Sequence, residues 1–193
     1  MTEIAKLMLD KVTADIAQAN VKTALDSVQK NMGFVPNMYA NMANSPGALE
    51  TYLAGYKHFR AESGFTPAEQ ETVFLTISRE NGCHYCMAAH SMVGEKMNGV
   101  PAPVLKALRA GEVLPDTKLQ ALSEFTRIMV ANQGKPTKQN LRAFLAAGFS
   151  EKQVLDVILA IAVKTISNYT NHVFHTEVDP MFAAYRWEAR KAA

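Results

Sequence analysis

Hydrophobic residues recur along this chain at intervals of three and four, the spacing that lines one face of an α-helix. Val21, Ala24, Leu25, Val28 and Met32 form one such face, with Asn20 as its cap. Ile4, Leu7 or Met8, Val12 and Ile16 predict a further helix ahead of it. Gly33 and Val35-Pro36 end that section, because a residue before proline is pushed out of helical geometry. Ser45-Pro46 opens the next helix, with Leu49, Leu53 and Tyr56 as its buried stripe. Thr66-Pro67-Ala68-Glu69 has the spacing of a capping box and predicts a helix running to Glu80, stopped by Asn81-Gly82. Another helix begins near Cys83 and runs to Asn98, where Gly99 and Pro101 end it. Further starts fall at Asp116, Thr137 and Ser150, and Gln153 completes a second capping box. Gly111 and Gly148 suit helix stops.

The stretch from Val154 to Ile166 is rich in β-branched residues, yet its length and the spacing Val154, Leu155, Ile158, Leu159, Ala162 favour a buried helix. Asp179-Pro180 predicts a last short helix carrying Tyr185 and Trp187. No period-2 strand and no hairpin turn signal appears, so the expected fold is all-α. No linker rich in Gly, Ser or Pro divides the 193 residues. A single domain is expected over 1–193, with a core over 35–190 and N-terminal helices over 3–32 packed on it. One internal echo stands out. Placing Thr66 against Ser150 aligns two capping boxes, and sets Cys83-His84-Tyr85-Cys86 against Ser167-Asn168-Tyr169-Thr170. A duplicated helical hairpin would produce it, as would any two capped amphipathic helices.

Composition narrows the function classes. Apolar residues make up 48% and charged residues 20%, enough to bury a sizeable core and too apolar for disorder. The net charge of +2 comes from near-equal numbers of both signs, which leaves no electrostatic footprint for nucleic acid. The most apolar stretch, which contains Asp156 and Lys164, is too short to span a bilayer. The residues from Met1 to Lys11 hold no uninterrupted apolar run of the kind a secretory signal needs. A soluble, cytoplasmic protein without nucleic-acid or membrane partners is the expectation. The ten methionines and nine phenylalanines fit a helical core or a subunit contact.

Only two cysteines are present, three positions apart, which points to redox or metal chemistry rather than a disulfide scaffold. In Cys83-x-x-Cys86 both thiols fall in the first turn of a predicted helix. Free backbone N–H groups and the helix dipole there favour a thiolate. Cys86 and His90 are four residues apart and share a helix face, so the imidazole has the reach to take the thiol proton. Glu71 shares a side of the preceding helix with Phe74, Leu75 and Ser78. A carboxylate there is either paired or shifted toward neutrality, and a neutral one is suited to passing protons to a histidine. Other readings stay open. Cys83, Cys86 and His90 supply three zinc ligands, with His84, His58 or water as a fourth. The cysteines also pack well as inert core residues. His172 and His175, at i and i+3, face a metal or are ordinary polar residues. A thioredoxin-like site is excluded by the lack of a βαβ setting.

Glu71, eleven residues, then Cys83-x-x-Cys86-x-x-x-His90 resembles the signature of the AhpD-like alkylhydroperoxidases within the carboxymuconolactone decarboxylase family. Asn168-Tyr169-Thr170-Asn171-His172 and Thr176-Glu177-Val178-Asp179 also resemble segments of that group, which extends the likeness over most of residues 35–190. The prototype has histidine just before the second cysteine, where this chain has Tyr85. The resemblance implies an AhpD-like helical fold and a thiol peroxidase that requires no cofactor or metal. In it Cys86 attacks a small hydroperoxide, Cys83 resolves the product to a disulfide, His90 deprotonates Cys86 and Glu71 relays the proton. It further implies an external dithiol or lipoylated reductant and a homo-oligomer, trimer or hexamer. Two alternatives remain at this point: a carboxymuconolactone decarboxylase-like, non-redox enzyme using Glu71 and His90 as acid and base, and a zinc- or redox-sensing helical module.

Overall fold

Nine α-helices and one 3-10 helix form in the computed structural model, which describes residues 4–188. In chain order they are α1 (Ala19–Met32), α2 (Asn37–Met42), α3 (Pro46–Glu62), α4 (Pro67–Glu80) and α5 (His84–Lys96). They are followed by α6 (Ala102–Ala110), α7 (Thr117–Ala131), α8 (Lys138–Ala146), α9 (Glu151–Phe174) and the 3-10 helix Pro180–Tyr185. No strand forms among the described residues, so the fold is all-α as the periodicity predicts. Local chemistry explains most of the starts. Thr66 with Glu69 and Ser150 with Gln153 complete the expected capping boxes, and Thr137 forms one with Asn140. The Asp116 carboxylate accepts from the Leu119 N–H. Ser45 sits at the cap position of α3 without a side-chain bond, leaving Pro46 as the start signal.

The helix expected over Ile4 to Ile16 does not form. Ile4, Leu7, Met8 and Ile16 are exposed, and the chain runs across the ends of other helices instead. The Leu7 N–H donates to Val173 O in the last turn of α9, and the Val12 N–H donates to Ala40 O in α2. Terminal helix carbonyls lack partners within their own helix, and meeting that need replaces the local helix bonds of this segment. The outer ends of the expected span, residues 1–3 and 189–193, lie outside the described residues. Two short helices escaped the sequence pattern. Five of the six residues of α2 are buried, so it shows no amphipathic stripe. The Pro101 that ends the α5 section also caps α6, and Pro103 lies in its first turn, where a missing N–H costs no helix bond. Trp187 lies just past the 3-10 helix rather than in it. α9 runs straight through the positions aligned with the Asn81-Gly82 turn, so the echo between the two segments covers the capping boxes but not the hairpin.

Packing divides into three apolar clusters. One holds six phenylalanines, with Phe144 between Phe125 and Phe149 at ring centroids of 4.2 and 4.7 Å. A second gathers Leu75, Met87, Val104, Leu105, Leu108 and Leu119 around α6. The third surrounds the two cysteines with Tyr39, Tyr52, Tyr85, Val163 and Phe182. α4 and α5 pair as a hairpin about Gly82, which adopts φ of 66°, and α9 packs against both. The Cys83 N–H donates to Ser78 O at 2.8 Å, pinning the start of α5 to the end of α4.

The 3-10 helix is held over α5 by one buried carboxylate. Asp179 accepts from the Tyr85 hydroxyl at 2.5 Å and from the Asn37 N–H at 3.2 Å, joining three elements. Asp179→Ala leaves both donors without a partner and is expected to lower stability by about 2–3 kcal/mol. Urea unfolding should show a lower midpoint with an unchanged slope. An unshifted midpoint would mean that the Tyr85 contact contributes no net energy.

Candidate active site

Cys83 occupies the N-cap of α5 and Cys86 its first turn; both are reduced, buried and 3.6 Å apart. The polar face of α9 lies behind them. Asn171 Nδ2 donates to Cys86 Sγ at 3.3 Å and lies 3.7 Å from Cys83 Sγ. Ser167 Oγ is 3.9 Å from Cys86 Sγ. One turn earlier stands Lys164, fully buried, with its Nζ 5.5 Å over the Phe74 ring and no partner within hydrogen-bonding distance. Burial by itself would push the Cys86 thiol up. The hydrogen bond from Cys83, then the charge of Lys164, outweigh it and hold Cys86 well below the usual thiol range. Donating that hydrogen bond and being buried push Cys83 well above it. The two thiols are thus pushed in opposite directions, Cys86 toward the thiolate and Cys83 toward the thiol.

Glu71 is fully buried in the middle of α4, and every one of its polar contacts comes from another element. Its Oε1 accepts from Arg60 of α3 at 2.5 Å and from Asn98 at 2.7 Å, and its Oε2 faces His90 Nδ1 at 2.8 Å. Burial works to raise its pKa, but His90 and Arg60 together hold it below the ordinary carboxylate value. Of the two states the sequence leaves open for this carboxyl, the paired one prevails. An ionised carboxylate only accepts, so His90 Nδ1 carries the proton it shares with Glu71, and Nε2 is left as an acceptor. Burial and the Lys164 charge lower the His90 pKa despite Glu71, leaving a neutral imidazole at pH 7.

Cys86 and His90 border a cavity of about 60 Å³ whose other walls include Tyr39, Tyr52, Tyr56 and Tyr85. Tyr39, Tyr52 and Tyr56 stand in a row, with centroids 5.6 Å apart for Tyr39 and Tyr52 and 5.8 Å for Tyr52 and Tyr56. Burial pushes all four phenol groups up, Tyr85 further through its bond to Asp179. Tyr85 therefore stays a phenol tied to a carboxylate and is no proton carrier at neutral pH.

All four residues singled out from the sequence, Glu71, Cys83, Cys86 and His90, come together here. The crossing of α4 and α5 brings Glu71 to His90. Gly94 makes room for Val100 just after α5, where a Cβ would lie 3.2 Å from the Val100 Cγ2. His58 is exposed on α3 and pairs with Glu62, and His84 turns its Nδ1 to Trp187 O, so neither joins the cysteines. Among the described residues no three His, Cys, Asp or Glu side chains are placed to hold a metal ion, and His90 Nδ1 is committed to Glu71. Sequence reasoning missed Arg60, Asn98, Ser167, Asn171, Asp179 and Lys164. The last left a signal, a lone cation in the apolar face of the stretch from Val154 to Ile166.

Lys164→Met removes the cation and keeps the bulk of the side chain. The Cys86 pKa should rise, so the thiolate fraction at pH 7 should fall. The inflection of iodoacetamide alkylation against pH should move to higher pH than in the unaltered protein. An unmoved inflection would assign thiolate stabilisation to Cys83 and Asn171 alone. Glu71→Gln frees His90 of its anion, and its fraction protonated should fall further.

No family model matches the sequence, and no curated protein matches it. Solved structures do. An uncharacterised peroxidase-related protein from Ralstonia eutropha JMP134, described as an alkylhydroperoxidase AhpD core, is 19% identical with a TM-score of 0.80. The match covers 94% of this chain and 96% of that one. A peroxidase-related protein from Silicibacter sp. TM1040 is 20% identical with a TM-score of 0.77, over 98% and 97% of the two chains. A cysteine-to-alanine variant of the debrominase Bmp8, in complex with 2,3,4-tribromopyrrole, is 14% identical with a TM-score of 0.75, over 95% and 97%. The chain therefore has the all-α fold of the AhpD-like, peroxidase-related proteins.

Proposed function

We propose that this protein is a thiol-dependent peroxidase acting on small hydroperoxides. The observation that carries this reading is a thiol pair 3.6 Å apart whose members are shifted in opposite directions, Cys86 to the more acidic side. The Cys86 thiolate attacks the outer oxygen of the peroxide; an S–O bond forms as the O–O bond breaks, leaving a sulfenic acid and an alkoxide. The alkoxide takes up one proton. His90, with its Nδ1 fixed by Glu71, lines the same cavity; its Nε2 takes the proton that the Cys86 thiol gives up and passes it to the alkoxide. Cys83 then attacks the sulfenic sulfur, water departs and the Cys83–Cys86 disulfide remains. An external dithiol, of the kind a lipoylated protein carries, restores the pair. This cycle suits a reducing compartment such as the cytoplasm. No helix among the described residues is long and apolar enough to cross a membrane. Exposed Leu155, Ile158, Tyr169 and Val173 along α9 support self-association as a trimer or hexamer.

A debromination like that of the debrominase neighbour is the second reading, and the tyrosine lining beside Cys86 favours it. Size favours the peroxide. About 60 Å³ is well under the ~150 Å³ of an apolar cavity that holds benzene. The lactone decarboxylase alternative needs a free acid–base pair, and Glu71 is closed off behind Arg60, His90 and Asn98.

One equivalent of a small organic hydroperoxide should consume both thiols and lower the intact mass by about 2 Da, the loss of two hydrogens. Cys86→Ser should abolish the reaction. Cys83→Ser should stop at a sulfenic acid that dimedone traps on Cys86. Full peroxide turnover by Cys86→Ser would overturn the assignment. Turnover of a bromopyrrole but not of peroxides would transfer it to dehalogenation.

A further inference from the structure

The cavity beside Cys86 is small and mostly apolar, with Met32, Met38, Ala89, Val93 and Phe182 among its walls. Apart from Cys86 and His90, its polar side chains are the four tyrosines. Phenylalanine would fill the same space, and a buried hydroxyl is unfavourable unless it is bonded. Where each hydroxyl proton goes therefore bears on what the cavity holds. Tyr85 donates its proton to Asp179 at 2.5 Å. Tyr56 accepts from Arg60 Nη2 at 2.8 Å and belongs to the set around Glu71. The Tyr39 and Tyr52 hydroxyls hydrogen-bond each other. Such a bond uses one of their two O–H groups and leaves the second without an acceptor inside the pair. Tyr52 is the deeper of the two, 2% exposed against 8% for Tyr39, so the O–H left over is that of Tyr39.

We propose that the Tyr39 hydroxyl donates a hydrogen bond to the leaving oxygen of the hydroperoxide, and that Tyr52 orients it for this from behind. The inference rests on the peroxidase reading and adds to it the group that receives the alkoxide.

Breaking the O–O bond puts a negative charge on an oxygen inside a space of about 60 Å³. Neither Lys164 nor Arg60 is among the walls of that space, so no cation of the protein meets the charge directly. An anion formed there without a donor is costly, and a donor already fixed at that point lowers the barrier. His90 answers one lone pair of the oxygen with the proton taken from Cys86, and another lone pair remains. Cys86 and His90 come from α5, whereas Tyr39 stands in a wall supplied by α2. In-line attack carries the leaving oxygen away from the sulfur, hence away from α5. Burial above all pushes both phenols up, so Tyr39 donates a hydrogen bond and keeps its proton. A hydroxyl that itself accepts from a second hydroxyl is polarised into a better donor, which gives Tyr52 its part.

The step balances. The Cys86 sulfur bonds to one peroxide oxygen, and the O–O electron pair leaves on the other. That oxygen takes its proton from His90 and departs as the alcohol. Tyr39 is bonded to it throughout and ends as it began, a phenol.

Tyr39→Phe removes one oxygen atom and keeps the ring. Oxidation of the thiols is followed by stopped flow with ethyl hydroperoxide and with peracetic acid, which are close in size but expel ethoxide and acetate. Acetate is a far weaker base and needs little help from a donor. Tyr39→Phe should slow ethyl hydroperoxide about tenfold or more, and peracetic acid by no more than about threefold. Tyr52→Phe should show a smaller loss with the same selectivity for ethyl hydroperoxide. The inflection of iodoacetamide alkylation against pH should stay in place in both variants, since Cys83, Lys164 and Asn171 hold the thiolate. Circular dichroism checks the fold, and Tyr52→Phe decides if Tyr39→Phe does not fold. An unslowed reaction with ethyl hydroperoxide in the folded variants would overturn the proposal. Equal slowing of both oxidants, or a moved alkylation inflection, would also overturn it, because a packing defect acts on every reaction of the thiolate. Thiols of the unaltered protein that ignore both oxidants would overturn the peroxidase reading, and this proposal with it.

Discussion

A carboxylate cannot be left alone in a dry interior, and Glu71 imposes that constraint on the centre of this fold. Its position on α4 has no exposed surface, and removing an ion's hydration costs several kcal/mol after relaxation. Arg60, His90 and Asn98 each answer one part of that demand, and they come from α3, α5 and the residues just after α5. The Arg60 guanidinium is itself held by the Tyr56 hydroxyl and stacks over Tyr56 and Phe74, 4.9 and 4.8 Å from their centroids. The helices cannot slide past one another without breaking this set. Because His90 is one of its members, the constraint that holds the helices together also orients the imidazole toward Cys86.

A second buried charge is handled differently. Lys164 is as deeply buried as Glu71 but has neither a carboxylate nor a hydrogen-bond acceptor at its Nζ. What faces it is a sulfur. An ammonium without a partner is costly, and that cost is offset only when Cys86 is ionised. The same cation lowers the His90 pKa and keeps that ring neutral. Arg60 thus answers Glu71 and Lys164 answers Cys86, with a neutral imidazole between the two pairs. Proton transfer at His90 then starts from a ring free to accept, rather than from one already charged.

Tyr85 shows how a local difference is absorbed by the surroundings. Next to Cys86 it could have been a proton relay, yet its hydroxyl is committed to Asp179, and burial keeps it a phenol. Its part is architectural: it packs edge-on against Phe182 at 6.1 Å, ties the 3-10 helix to α5 and divides the space around the thiols. The chemistry it leaves falls to His90.

The sequence by itself determined the helices, because periodicity and capping are local properties. Thr66, Asp116, Thr137 and Ser150 each mark a start that rests on bonds within the next three residues. It also determined the four residues of the candidate site, because Cys83, Cys86 and His90 lie within two turns and Glu71 one helix earlier. Where bonding is not local, the sequence was silent or misleading. Ile4 to Ile16 has a helical pattern, but its backbone serves the carbonyl ends of α2 and α9. Glu71 on an apolar face was compatible with either a neutral or a paired carboxyl. Only the packing of α3 and α5 decided for pairing, since Arg60 and His90 lie eleven and nineteen residues away. Lys164 and Asn171 were helix residues with no visible task until α9 was laid behind the cysteines, more than seventy residues from them in the chain. The acidity of a thiol depends on charges within a few ångströms in space, and such distances are set only when the helices pack.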